Sequence, residues 1–105
     1  MRAISVAKDF TRFPSGRLKG VTSGEAFRER FLESAIRAGE SIEVDLDGTL
    51  GYSSSFLDEA FGGLVRTLGI APDALLAVLR IKSEDSQLVE EVKSYILDAW
   101  QRKRA

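Results

Sequence analysis

Residues 42–68, IEVDLDGTLGYSSSFLDEAFGGLVRTL, constrain the fold more than any other stretch of the chain. Ile42, Val44 and Leu46 alternate with Glu43 and Asp45, the period of a strand with one buried face. Phe56, Leu57, Ala60, Phe61, Leu64, Val65 and Leu68 then recur at helical spacing and form one broad apolar stripe. Between strand and helix lies a polar turn carrying Asp45, Asp47, Gly48, Thr49, Tyr52, Ser53, Ser54 and Ser55. Any function the chain supports has to be sought first in that turn.

The flanking segments supply partners for this unit. Residues 3–10 alternate, with Ile4, Val6 and Phe10 on one face, and read as a strand. Phe13-Pro14-Ser15-Gly16 is turn chemistry, and Arg17-Leu18-Lys19 is expected to return as a second strand and close a hairpin. Arg12, Arg17 and Lys19 would give that hairpin a basic, solvated edge. Thr22-Ser23-Gly24-Glu25 has the form of a capping box, opening a helix whose stripe is Phe27, Phe31, Leu32, Ala35 and Ile36. Arg28, Glu29, Arg30, Glu33 and Arg37 fall largely off that stripe, and Gly39 stops the helix.

After Gly69 a short helix begins at Pro72, and Leu79-Arg80-Ile81-Lys82 alternates as a further strand. Ser83 is the expected N-cap of a last helix that buries Leu88, Val89, Val92, Ile96, Ala99 and Trp100 and ends in Arg102-Lys103-Arg104. Gly62 and Gly63 interrupt the helix after the polar turn, where each glycine costs roughly 1 kcal/mol relative to alanine. Such a pair implies a close approach on that face. The helical crossover between residues 42–46 and 79–82 makes those strands parallel neighbours. The expected architecture is one α/β domain over residues 1–105, a small mixed β-sheet with helices packed on it.

Composition narrows the chemistry. Net charge is −1 across 105 residues, which provides no field for nucleic acid or anionic lipid, and the basic tail reads as a dipole-matched helix end. There is no histidine and no cysteine, so the commonest general base, zinc ligands and thiolate nucleophiles are absent. No apolar run is long enough for a bilayer, and the first ten residues lack a signal-peptide core, so a cytoplasmic location is expected.

Two resemblances bear on the turn. Asp45-Leu46-Asp47-Gly48-Thr49 after a hydrophobic strand resembles the first motif of the haloacid-dehalogenase phosphotransferases. That resemblance implies Asp45 as nucleophile, Asp47 as general acid/base and Mg²⁺ between them, a phosphohydrolase reading. The other stand-ins for that family's pattern, Lys82 and Glu84-Asp85, come in one cluster with no helix between them.

The second resemblance covers more of the chain. Ser23-Gly24-Glu25 with Phe27-Arg28-Glu29, the whole of IEVDLDGTLGYSSSFLDEAFGGLVR, and Ile81-Lys82-Ser83-Glu84-Asp85 together resemble the bacterial STAS-like domain family of unknown function, similar to anti-sigma-factor antagonists. It implies a STAS-like fold and a regulatory protein-interaction module, not a catalyst. It further implies a phosphoacceptor serine at the start of the helix after the central strand, modified by a histidine-kinase-type ATPase partner. Alignment with the antagonists' string places Ser55 on that position, with Ser54 and Ser53 beside it. Ser53 and Phe56 stand where the antagonists carry aspartate and glycine. Asp47, Gly48, Thr49, Tyr52, Ser53, Ser54 and Asp58 are the expected partner contacts. A bland alternative stays open: one serine is a helix cap and the others fill a turn. No cofactor, metal, nucleic acid or membrane is called for.

Overall fold

A computed structural model describes residues 1–18 and 20–104. Strand β1 (Arg2–Ser5) leads into a single wide turn, Val6–Phe10. Helix α1 (residues 24–37) follows, then β2 (Ile42–Asp45), α2 (Ser54–Leu68), α3 (Pro72–Val78), β3 (Leu79–Lys82) and α4 (Ser86–Arg104). The three strands form one sheet in the order β1-β2-β3, and both pairings are parallel. The register sets Ile4 beside Val44 beside Ile81, and Ser5 beside Asp45 beside Lys82.

The α/β class therefore holds, while two details of the expected sheet do not. Among the described residues the sheet is wholly parallel instead of mixed, because no hairpin return forms: Arg17 and Leu18 lie in a bend. Lys19 lies outside the described residues. The first strand also stops at Ser5, well short of Phe10. Ser5 and Asp9 end it by capping the turn that follows. The Ser5 hydroxyl accepts from the Lys8 N–H at 3.1 Å, and the Asp9 carboxylate accepts from the Ser5 N–H at 2.7 Å. Side-chain acceptors of this kind offer the backbone an alternative to the sheet ladder.

The sheet is covered on one face. Ile4, Ile42, Val44, Leu46 and Leu79 are buried against a helical layer in which α2 lies between α1 and α4. From α2, Phe56, Leu57, Ala60, Phe61, Leu64 and Val65 are all buried, as the stripe requires. Phe10, Phe27, Phe31, Tyr52 and Phe56 form a run of aromatic contacts at 5.3 to 6.4 Å between centroids. The other face is polar. Glu43 pairs with Arg80 at 3.8 Å and Asp45 with Lys82 at 4.0 Å, cross-strand pairs of the kind an exposed face carries. An open polar face explains why a parallel strand shows alternation here instead of the continuous apolar run of a sheet buried on both sides.

Caps sit one or two residues from where the sequence pattern places them. Ser23, not Thr22, caps α1, accepting from Ala26 N–H at 3.1 Å. Asp85, not Ser83, caps α4, accepting from Gln87 and Leu88. Gly39 and Gly69 end their helices with φ of +76° and +67°, the conformation that favours glycine there. Both α1 and α2 widen to i→i+5 hydrogen bonding in their middle turns, Arg28–Leu32 and Asp58–Gly62. Such widened turns occur often at functional sites. Among the described residues no single helix is long and apolar enough to cross a membrane.

Candidate functional site

The loop after β2 is held from beneath. Asp45 Oδ1 accepts from the Asp47 N–H at 2.9 Å and tightens the first turn. The Asp47 carboxylate reaches across to the turn after β3: it accepts from the Ser83 hydroxyl at 2.8 Å and from the Glu84 N–H at 3.1 and 3.2 Å. One side chain thus ties together the carboxyl ends of two adjacent strands. Glycine at position 48 is required twice over, by its φ of +93° and by Ala7, whose Cβ would lie 3.1 Å from an added Cβ. Leu50 N–H donates to the Arg12 carbonyl at 2.9 Å, which fastens the loop tip to the segment leaving the Val6–Phe10 turn.

Tyr52 closes the loop. Its hydroxyl donates to the Leu46 carbonyl at 2.7 Å and its ring packs on Phe56 at 5.8 Å. Burial pushes this phenol up to about 12, while a side-chain hydrogen bond with Thr49 works in the opposite direction. Tyr52 is therefore a half-buried strut. Thr49 accepts from the Gly51 N–H at 3.3 Å. What projects outward at this end is Gly48, Leu50, Gly51, Ser53 and Ser54, and Leu50 is 71% exposed.

The serine triplet divides its duties. Ser53 is the N-cap of α2, accepting from Phe56 N–H at 3.1 Å, in extended conformation with ψ of 150°. Ser54 is exposed and Ser55 half-buried in the first turn. The site thus contains the cap that the bland reading expects, and it leaves the Ser54 and Ser55 hydroxyls outside that capping bond.

Immediately below the serines lies a network that the sequence pattern did not single out. Arg28 is buried, its guanidinium bonded to Glu33 at 2.7 Å, to the Glu59 carboxylate at 2.6 Å and to the Glu59 carbonyl at 2.8 Å. Burial alone would lower its pKa; the bonds to Glu33 and Glu59 outweigh that and hold it above its ordinary value. Arg28 and Glu59 stand in the widened turns of α1 and α2, so those turns meet through this pair. Asp58 receives Arg17 at 2.6 Å and Arg66 at 3.3 Å. Its burial pushes the carboxyl up, but the Arg17 hydrogen bond and the Arg66 charge more than offset this and leave it below its ordinary value.

The two glycines in α2 were the available signal. A Cβ at Gly63 would collide with the Arg28 guanidinium, and one at Gly62 would come within 2.8 Å of an Asp58 oxygen and 3.2 Å of the Tyr95 carbonyl. The close approach they imply is thus internal, made by an arginine and a neighbouring helix. Asp58, expected among the partner contacts, is engaged in this network with its side chain 21% exposed.

Taken together, Asp45 and Asp47 serve as loop-closing acceptors. Among the described residues no three acidic side chains converge to hold a cation, so the phosphohydrolase reading finds no third carboxylate beside them.

Among known proteins, a family model described as a STAS-like domain of unknown function matches residues 23–88, which take in α1, β2, the loop, α2, α3, β3 and the start of α4. Neither the curated proteins nor the solved structures contain a significant match.

Proposed function

The chain belongs to the STAS-like domain family, and from that premise we propose that it is a non-catalytic, regulatory protein-interaction module resembling the anti-sigma-factor antagonists. Its partner is a protein, a histidine-kinase-type ATPase. The partner docks on residues 48–55 and the first turn of α2, with Leu50 as an apolar contact at the tip. Ser55 is the phosphoacceptor, with Ser54 its neighbour.

The observation that carries this reading is the division of labour at the head of α2. Ser53 supplies the capping oxygen, so Ser55 can be modified without removing the bond that starts the helix. A phosphate there meets the positive end of the helix dipole, so the folded domain tolerates it. The same charge repels or displaces a partner packed on that surface. In the transfer, Ser55 Oγ bonds to the γ-phosphorus of ATP and the bond to the β,γ-bridging oxygen breaks. ADP leaves with that electron pair, and the serine proton passes to a base on the kinase.

The test is incubation of the whole chain with its ATPase partner and Mg-ATP, followed by intact mass and fragment mapping. The expected result is one added phosphate on Ser55, lost in Ser55→Ala. No phosphate on any of Ser53, Ser54 or Ser55, under conditions where the two proteins bind, would overturn the switch.

A further inference from the structure

Residues 11–23 run from the wide turn to α1 without forming a strand among the described residues. Backbone bonds hold the returning half: Gly24 N–H to Gly16 O at 3.0 Å, Glu25 N–H to Arg17 O at 3.1 Å and Ser15 N–H to Thr22 O at 3.1 Å. Phe13, Leu18 and Val21 are exposed along it. The ion pairs that tie this strap to α2 come from Arg17, whose guanidinium Nη1 lies 2.6 Å from Asp58 Oδ2 and 3.5 Å from Glu59 Oε1.

Asp58 and Glu59 stand three and four positions after Ser55. Residues so spaced are direct neighbours on a helix surface, with Cβ atoms roughly 5–6 Å apart. Arg17 is therefore bonded to carboxylates that stand one helical turn after Ser55. The other two arginines of the network approach these acids differently. Arg28 is buried and bonded three times over. Arg66 reaches the same two carboxylates, at 3.3 and 3.7 Å, but from a backbone position eleven residues and about 16 Å along the axis towards the other end of the helix. Arg17 instead comes from the strap beside Gly24, which packs against the Phe56 carbonyl in the first turn. Departure of Arg17 leaves neither carboxylate alone, because Asp58 keeps Arg66 at 3.3 Å and Glu59 keeps Arg28 at 2.6 Å.

We infer that Arg17 is the reader of the Ser55 phosphate: the phosphate draws the Arg17 guanidinium from Asp58 and Glu59, and the strap of residues 11–23 shifts with it. This rests on the reading of Ser55 as phosphoacceptor. A phosphate carries nearly twice the charge of a carboxylate and three acceptor oxygens, so it outcompetes either acid for a guanidinium fork that is half exposed. Modification at α2 is thereby converted into a change in the neighbouring strap, where Phe13, Leu18 and Val21 are presented.

The experiment uses the full chain with phosphoserine installed at position 55 during synthesis, so that no kinase is needed. Wild type, Arg17→Gln and Arg17→Lys are each made with and without the phosphate. Amide exchange at Gly24 and Glu25 is expected to quicken about tenfold on phosphorylation of the wild type and to be indifferent to phosphate in Arg17→Gln. The phosphate's second ionisation, followed by ³¹P resonance, is expected at lower pH in the wild type than in Arg17→Gln, with Arg17→Lys in between. Unchanged exchange, or equal changes with and without Arg17, would overturn the inference. The two readings fail separately: an Arg17-dependent response in a protein that the ATPase never phosphorylates sinks the proposed function alone. Phosphorylation of Ser55 by the ATPase with no Arg17 dependence sinks only the role of Arg17.

Discussion

At the scale of single residues, the strongest constraint is the arginine that lies inside. Burying a charge is costly unless it is paired and hydrogen-bonded, and Arg28 meets that condition with two carboxylates and a carbonyl. Gly63 provides the space. Gly63→Ala is expected to destabilise the fold by roughly 2 kcal/mol, since the added methyl overpacks against a side chain fixed at both ends; urea unfolding with an unchanged m-value checks it. In the sequence Arg28 carries no sign of burial because it falls off the apolar stripe of its helix, and periodicity weighs only apolar positions. Nothing in that pattern says that a charged residue on the flank will face a carboxylate 31 positions away. Tyr52 gives a second test at this scale. Its folded-state pKa is raised from 10.0 to about 12, so the folded protein holds the proton more tightly than the unfolded chain. The stability this contributes is fully present below pH 10 and is lost as pH rises towards 12. Tyr52→Phe is expected to flatten that alkaline loss in a pH series of thermal melts and to lower neutral-pH stability by about 1 kcal/mol through the lost bond to Leu46.

At the scale of elements, the head of α2 carries the proposed switch and the cap concentrates its local stability. Ser53→Ala is expected to cost about 1 kcal/mol, and Ser55→Ala a few tenths at most, because only Ser53 accepts from the helix backbone; chemical denaturation of the two variants side by side separates them. The strand-to-helix unit was legible because both of its periods are long and clean. Ile42, Val44 and Leu46 are buried alternately, and the α2 stripe runs without a break to Gly69. The N-terminal segment was misread for a local reason. Residues 3–10 keep an alternating pattern, yet Ser5 and Asp9 cap a turn within it, and side-chain capping carries no apolar signature. Thr22 and Ser83 misled in the same way: each lies close to the residue that caps, and several polar residues in a row leave the choice to tertiary contacts.

At the scale of the whole molecule, three parallel strands with one helical layer leave both ends of the sheet to loops. The carboxyl end carries the candidate site, the position open α/β sheets favour for ligands and partners. Asp47 ties the loop after β2 to the turn after β3, Leu50 ties its tip to the strap, and Arg17 ties the strap to α2. The proposed docking surface is thus a tied base with an exposed rim. This arrangement was only partly visible in the sequence. The polar turn announced itself, whereas the strap was expected to pair as a strand, and long-range pairs such as Arg17 with Asp58 have no sequence signal. The claim on which the account depends is that charge at the head of α2 controls partner binding. It is tested most directly by measuring, by calorimetry at fixed salt, the affinity of the ATPase partner for the unmodified chain and for the chain bearing phosphoserine at position 55. The account predicts a Kd at least about tenfold weaker for the phosphorylated chain, some 1.4 kcal/mol; equal affinities for the two forms would contradict it.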